Sequence, residues 1–155
     1  MQNCKIRPAK KEDAQALSKL ICDNAAVLLL PYYNDEQMTA FVKFYSVAEM
    51  QFKISSQNIF CATLENEIVG CIALENNLVV GFYTRLHFQK RGIGNILMIF
   101  IEKFALSKGF NELQLSASPQ ALVFYLKQGW QIVKEITCYY CSVEFEETLM
   151  KKAIG

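Results

Sequence analysis

The hydrophobic positions in the first third of the chain have the spacing of amphipathic helices. After a short strand over residues 4–7, apolar residues three and four apart predict a helix over 13–30, which a proline ends. Asn34 or Asp35 can cap a second helix, and a third is expected around residues 47–54. This region therefore predicts one strand followed by helices.

The pattern changes to β-type runs in the middle of the chain. Runs at residues 59–64, 68–74 and 78–84 are separated by short polar turns, which predicts an antiparallel meander. Over residues 93–105 the apolar spacing is helical again, until a glycine ends the helix. We expect the strand–helix–strand connection after the meander to be parallel and right-handed.

The last third of the chain predicts further strands around one short helix. A strand over 113–117 is followed by a helix over 118–129, which begins with a Ser-Pro cap. Runs at 130–133 and 136–145 then close the domain as a hairpin around residues 134–135.

This order of elements predicts one α/β domain over residues 1–155, with a mixed, mostly antiparallel sheet flanked by helices. Hydrophobic residues make up 52% of the chain and charged residues 20%, which excludes a disordered protein. The net charge of +1 offers no broad field for nucleic acid or an anionic membrane, so we expect neither partner. The polar N-terminal segment does not resemble a secretory leader, and we expect a cytoplasmic protein.

Six cysteines, at positions 4, 22, 61, 71, 138 and 141, could form disulfides or a metal site. In an unexported protein with a large core, we expect reduced thiols instead. The close pair Cys138 and Cys141 lies in a β-type run, where residues three apart face opposite sides of the sheet. Because the chain contains one histidine, a Cys/His metal set cannot be assembled, and we expect no metal.

A glycine-containing segment before the long apolar helix is the most informative candidate binding motif. In Phe-Gln-Lys-Arg-Gly-Ile-Gly-Asn, residues 88–95, Gly92 and Gly94 let backbone amides converge at a helix N-terminus, beside Lys90 and Arg91. The segment suits a pyrophosphate, and the alternative is a tight turn without a ligand. A nucleoside triphosphate loop needs Lys-Ser or Lys-Thr after its last glycine, and a dinucleotide site needs a third glycine. This segment has neither.

Four segments, taken in order, resemble one known family. Residues 89–94 read Gln-x-x-Gly-x-Gly, and residues 124–130 read Phe-Tyr-x-x-x-Gly-Trp. These resemble the coenzyme A loop and the Phe-Tyr-x-x-x-Gly-Phe segment of the GNAT superfamily of N-acetyltransferases, with Trp130 in place of the last Phe. Residues 6–13 and 68–70 are similar to the family's opening strand and helix and to the start of its third strand. The resemblance covers about the whole chain.

The resemblance implies that acetyl-CoA is the co-substrate, with its pyrophosphate at the loop and its pantetheine arm in a wedge between two strands. It implies a bulge in the strand over 78–84, which splays from the strand near 113–117 and pairs with the arm through its backbone. Ser118 would partly replace an asparagine that points at the arm. The residues expected to bind acetyl-CoA are Phe82, Tyr83, Thr84, Gln89, Lys90, Arg91, Gly92, Ile93, Gly94, Asn95 and Ser118.

The resemblance also suggests catalytic and acceptor residues. Tyr125 matches the family's acid position, and its phenol can protonate the departing thiolate; taken alone it would be a core aromatic. Glu75 ends the third strand of the chain, the run at residues 68–74, and is the carboxylate that we name as the general base. The alternative is that Glu75 is an ordinary exposed acid in a turn. Tyr32 and Tyr33 lie in the loop between the first two helices, which borders the acceptor site in the family, and half-buried packing is their alternative.

We therefore expect an N-acetyltransferase that moves the acetyl group of acetyl-CoA to a primary amine by direct attack in a ternary complex. The acceptor is expected to be a small-molecule or peptide amine, and the protein a monomer or homodimer. A catalytically idle acyl-CoA-binding regulatory module is the alternative from another class. Both bind the coenzyme, and turnover with an amine separates them.

Overall fold

A mixed sheet forms the centre of the computed structural model, which describes residues 3–155. Its strands are β1 (Lys5–Pro8), β2 (Asn58–Leu64), β3 (Glu67–Glu75), β4 (Leu78–Thr84), β5 (Glu112–Ala117), β6 (Gln131–Tyr140) and β7 (Val143–Ala153). They lie in the order β1-β2-β3-β4-β5-β7-β6, and neighbours are antiparallel except for β4 and β5, which are parallel. The expected α/β class and mostly antiparallel sheet are confirmed.

The helices lie on both faces of the sheet, and local capping explains where two of them begin. Asn34 accepts a hydrogen bond from the Gln37 amide, while the Gln37 side chain accepts one from the Asn34 amide. Ser46 accepts a hydrogen bond from the Glu49 amide at the start of the next helix. The α-helices of the described residues are α1 (Ala14–Leu28), α2 (Asp35–Phe44), α3 (Val47–Ser56), α4 (Ile93–Ser107) and α5 (Leu122–Lys127).

Each face of the sheet carries its own hydrophobic core. Under α4 and α5, one core includes Leu97, Ile101 and Trp130. Under α1, α2 and α3, the other includes Leu17 and Phe145. Because helices cover both faces, β3 is buried throughout except at its two ends.

The final hairpin turns later in the chain than its sequence predicts. The expected turn at 134–135 is wrong: Lys134 and Glu135 lie within β6, and the turn is formed by Cys141 and Ser142. Both turn residues have positive φ, 50° and 65°. Since β6 is the outermost strand and largely exposed, polar side chains are tolerated along it and do not mark a turn.

An ion pair ties β1 to the start of α1. Arg7 donates from Nη1 to Asp13 Oδ2 at 2.7 Å and from Nη2 to Oδ1 at 3.1 Å. The Lys10 amide also donates to Asp13 Oδ2, at 2.7 Å. The hydrogen bond from Arg7 is the largest cause that holds the pKa of the Asp13 carboxyl below its ordinary value.

We expect Asp13 to contribute to acid unfolding. Its pKa is lower in the folded than in the unfolded protein, so its stabilisation is complete above about pH 4 and is lost as pH falls through the folded pKa. Asp13→Asn should lower the free energy of unfolding at pH 7 by about 1–2 kcal/mol and flatten its decline below pH 4. Urea unfolding between pH 2 and pH 7 measures both. Asp23→Asn, which removes an exposed pair with Lys19, is the control; equal pH profiles for the two variants would contradict the prediction.

Candidate functional site

Strands β4 and β5 separate soon after they begin, and this opens a wedge in the sheet. Within the described residues, their pairing is confined to Leu78 with Gln114, supported by the Gln114 amide donating to the Asn77 carbonyl at 2.9 Å. Opposite Ile72, β4 carries a bulge at Gly81 and Phe82, where Gly81 has φ 57°. The expected bulge and splay are confirmed.

The wedge opens into a cavity of about 640 Å³ that gathers most of the sequence-predicted site residues. Those that line it are Tyr33, Glu75, Phe82, Tyr83, Thr84, Gln89, Lys90, Gly92, Gly94, Asn95, Ser118 and Tyr125. Three do not. The Ile93 side chain is buried in the α4 core, Tyr32 is 53% exposed, and Arg91 lies over the Phe88 ring at 4.7 Å.

The loop before α4 provides unpaired backbone amides at the mouth of the wedge. Gly92 caps α4 with φ 85°, a left-handed conformation that favours glycine, and Lys90 has φ 62°. The Ile96 amide is bonded to the Gly92 carbonyl, so the amides of the preceding first turn have no partner within the helix. A Cβ on Gly94 would meet the Phe82 ring at 3.4 Å, so this glycine lies directly beside the bulged strand. Such a helix start suits an anion.

A buried amide holds the loop against β4 and α1. Asn24, which is 3% exposed, donates to the carbonyls of Leu20 at 3.0 Å and Thr84 at 3.1 Å. Its Oδ1 accepts a hydrogen bond of 3.3 Å from Gln89 Nε2. Gln89 therefore supports the loop through its side chain. Sequence reasoning missed Asn24, although a polar residue among the apolar positions of α1 is the signal that marks it.

Tyr125 lies on the wall of the wedge formed by α5. It is 8% exposed, and its ring lies 6.3 Å from Phe82, 5.4 Å from Phe124 and 5.9 Å from Trp130. Its hydroxyl makes no side-chain hydrogen bond to any other group in residues 3–155. Burial first, and the charge of Glu147 second, raise the pKa of Tyr125, so the phenol is protonated at neutral pH.

Glu75 lies at the closed end of the wedge. It is exposed and pairs with Leu78, the residue through which β4 is still joined to β5. Glu75 therefore lines the cavity away from the place where the two strands have separated.

A second carboxylate, Glu147 on β7, lies at the open end. Its backbone neighbour Thr148 pairs with Ala117, the last residue of β5. Glu147 is 6% exposed, and its oxygens accept hydrogen bonds of 3.1 and 3.3 Å from the Tyr140 hydroxyl. Burial raises the pKa of its carboxyl. Sequence reasoning missed it, because Glu144, Glu146 and Glu147 together look like a solvated face.

Aromatic rings form the wall of the cavity on the α1–α3 side. Tyr140 contacts Phe44 and Phe145 with ring centroids 4.9 and 4.8 Å apart, and Tyr33 lies edge-on to Phe145 at 4.9 Å. The buried amine of Lys53 donates to the Phe44 carbonyl at 2.7 Å and lies 3.8 Å above its ring. Burial lowers the pKa of Lys53. This wall therefore combines aromatic rings with one amine of the protein itself.

Other kinds of site receive less support from the described residues. The six cysteines are free in this part of the chain. Within residues 3–155, no group of three or more His, Cys, Asp or Glu side chains is placed to hold a metal ion. Among the same residues, every helix is too short or too polar to span a lipid bilayer.

Comparison with known proteins identifies close structural relatives. Residues 29–140 match a family model described as an acetyltransferase (GNAT) domain. A solved structure from Rhodopseudomonas palustris, described as a GCN5-related N-acetyltransferase and class-II aminotransferase, is 25% identical with a TM-score of 0.91 and covers 99% of this chain and 97% of that chain. The PaiA N-acetyltransferase of Thermoplasma acidophilum, in complex with coenzyme A, is 19% identical with a TM-score of 0.83, over 98% of this chain and 99% of that chain. No curated protein matches the chain.

Proposed function

The chain belongs to the GNAT acetyltransferase family, and from this premise we propose that it transfers the acetyl group of acetyl-CoA to a primary amine by direct attack in a ternary complex. Acetyl transfer, with an acyl-CoA and an acceptor, follows from the family. The single observation that supports the finer proposal is the wedge itself. It joins an anion-binding helix start to a buried phenol within one cavity.

The residues at the wedge fit acetyl-CoA, which supplies an acetyl group activated as a thioester. The amides of the first turn of α4, together with Lys90, would hold the pyrophosphate. The separated backbones of β4 and β5 have free hydrogen-bonding groups for the amides of a pantetheine arm. The coenzyme A bound to the Thermoplasma acidophilum relative supports this assignment.

Transfer requires three events, and the cavity offers a group for each. A lysine-like amine is neutral in roughly 1 in 2,500 copies at pH 7, which costs about 4–5 kcal/mol, so a base must remove its proton. Sequence reasoning proposes Glu75 as this base, but Glu75 lies at the closed end of the wedge, and Glu147 at the open end is the other carboxylate of the cavity. A backbone amide at the bulge would stabilise the charge that develops on the carbonyl oxygen. As the new C–N bond forms and the C–S bond breaks, Tyr125 would give its proton to the sulfur.

The proposal is tested by thiol release from acetyl-CoA over a panel of amines, with mass spectrometry of the products. We expect at least one amine to be converted to its N-acetyl amide, with one thiol released for each amide formed. Acetyl-CoA binding without turnover on any amine would instead support the idle regulatory module. Thiol release without amide formation would indicate thioester hydrolysis and would overturn the proposed acceptor chemistry.

A further inference from the structure

We propose that Glu147 receives the ammonium group of the acceptor and takes its proton, and that the acceptor is a monoamine with an apolar body that lies against Tyr33, Phe44 and Tyr140. This inference rests on the proposed function and names its acceptor class and its base.

Glu147 lies at the open end of the wedge, where the acceptor amine would attack the acetyl group of bound acetyl-CoA. The pairing of Thr148 with Ala117 puts Glu147 just beyond the last residue of β5, where the wedge is open. Its side chain projects to the α1–α3 side of the sheet, as that of Phe145 two residues earlier does. Tyr125 lies in the core on the opposite side. An amine bound at Glu147 and a thiolate near Tyr125 would therefore face each other across the wedge.

The charge of Glu147 has no partner in the protein. None of the ion pairs among residues 3–155 includes it, and its hydrogen-bond partners are the uncharged side chains of Tyr140 and Cys138. A buried carboxylate without a counter-ion is costly, so it either takes up a proton or is neutralised by a cation from outside the chain. Here the carboxylate faces a cavity large enough for a ligand. A cationic amine is the partner that its charge would select.

The surroundings of Glu147 favour one positive charge on an apolar body. Aromatic rings attract an ammonium through their negative faces; the Tyr140 hydroxyl donates to the carboxylate, and Phe44 packs against the Tyr140 ring. The rest of the lining on this side includes the apolar Ile21, Leu29 and Met50, together with Asn24 and the amine of Lys53. A second ammonium group would be buried there without a carboxylate. The site therefore suits an alkyl or arylalkyl monoamine better than a polyamine.

The proton transfer balances with the reaction at the thioester. The Glu147 carboxylate takes one proton from R–NH₃⁺, and the nitrogen lone pair then forms the C–N bond while the C–S bond breaks. Tyr125 protonates the sulfur and is reprotonated by the second proton that leaves the nitrogen. Glu147 returns its proton to solvent when the amide leaves. The raised pKa of Glu147 brings it closer to that of an amine, which favours this role.

Apart from the Lys53 amine on α3, which lines the same cavity, the titratable groups that face Glu147 remain neutral near pH 7. They are Tyr140 and Cys138 on β6, Tyr33 after α1, Tyr45 after α2, and Tyr125 on α5. Each has a raised pKa, and that of the Cys138 thiol is about 11. The titration of Glu147 can therefore be followed without interference from these neighbours.

Glu147→Gln tests the proposal, because its amide oxygen can still accept the hydrogen bond from Tyr140. We expect kcat/KM for 2-phenylethylamine at pH 7 to fall by about 10²–10⁴-fold, with acetyl-CoA affinity unchanged by calorimetry. For an amine that is already neutral at pH 7, the loss should be far smaller, since no proton must be removed. Spermidine should be a poor substrate of the wild type. The matched control is Glu146→Gln, the neighbouring exposed carboxylate that accepts a hydrogen bond from Thr137.

Stability separates a catalytic from a structural role. Burial raises the pKa of Glu147 above its unfolded value, so its ionisation destabilises the fold as pH rises through that range. Glu147→Gln should therefore melt at the same or a higher temperature than the wild type at pH 8. A lower melting temperature with equal losses for protonated and neutral amines would overturn the proposal. So would unchanged activity, or loss of activity in Glu75→Gln alone.

Failure of the proposed function can be distinguished from failure of the proposal for Glu147. If the wild type acetylates no amine, calorimetry with 2-phenylethylammonium still decides the role of Glu147. Binding that Glu147→Gln abolishes would support the ammonium site, while equal binding, or none to either protein, would overturn it.

Discussion

Replacing Tyr125 with Phe should lower kcat by about 10²–10⁴-fold while acetyl-CoA affinity and melting temperature change little. A positioned general acid contributes roughly 3–5 kcal/mol of transition-state stabilisation, and only the hydroxyl is removed. Phe keeps the ring contacts with Phe82, Phe124 and Trp130. The hydroxyl makes no side-chain hydrogen bond in residues 3–155, so its loss should leave no buried partner unsatisfied. Steady-state kinetics with a saturating acceptor, calorimetry and thermal melts measure the three quantities.

The control for Tyr125 is Tyr139→Phe, which removes the same group from a tyrosine that is 63% exposed on β6. We expect it to behave as the wild type. An unchanged kcat for Tyr125→Phe, once chemistry is shown to limit the rate, would remove Tyr125 from the mechanism. Joint loss of folding and activity would show that the hydroxyl is structural.

Gly92→Asp should weaken acetyl-CoA binding by about 100-fold or more. A side chain at φ 85° strains the loop by about 1–2 kcal/mol. A carboxylate in the loop would also repel the proposed pyrophosphate, by roughly 1–3 kcal/mol at a separation of about 5 Å. Calorimetry with acetyl-CoA, ATP and NAD measures the effect and the selectivity of the wild type.

Two variants separate charge from strain at Gly92. Gly92→Asn has nearly the size of the Asp variant and a similar tolerance of positive φ but no charge, so it should lose less affinity. Gly109→Asp places the same change at φ 91° at the opposite end of α4 and should bind as the wild type does. Wild-type affinity in Gly92→Asp, or tight ATP or NAD binding without acetyl-CoA binding, would contradict the assignment of the loop.

Most of the fold could be predicted because its signals are local. The helical spacing of α1, the cap at Asn34 and the alternating runs of β2 to β4 are properties of neighbouring residues. The turn predicted at residues 134–135 is wrong because the rule that a polar pair between apolar runs marks a turn fails in the outermost strand of a sheet. The first five residues of β6 are all exposed, so the polar pair Lys134-Glu135 is compatible with a continuous strand.

The residues of the candidate site could be predicted only where they belong to a recognisable sequence motif. The loop glycines and Tyr125 carry such motifs, but Asn24 and Glu147 are defined by burial, which depends on strands and helices distant in sequence. The neighbours Tyr32 and Tyr33 show the same limit. Both belong to one loop, yet only packing against Phe145 distinguishes the buried Tyr33 from the exposed Tyr32. For Glu147, the buried Phe145 two residues earlier is the sequence signal, once the strand is known.

The separation of β4 from β5 gives the sheet two open edges in its interior. Open edges commonly invite strands of other chains, which leads to aggregation. Here α1 and α4 contact β4 from opposite faces, so an incoming strand would have to enter between these helices. The same helices therefore protect the open edges from unwanted association and leave their backbone groups for the proposed pantetheine arm.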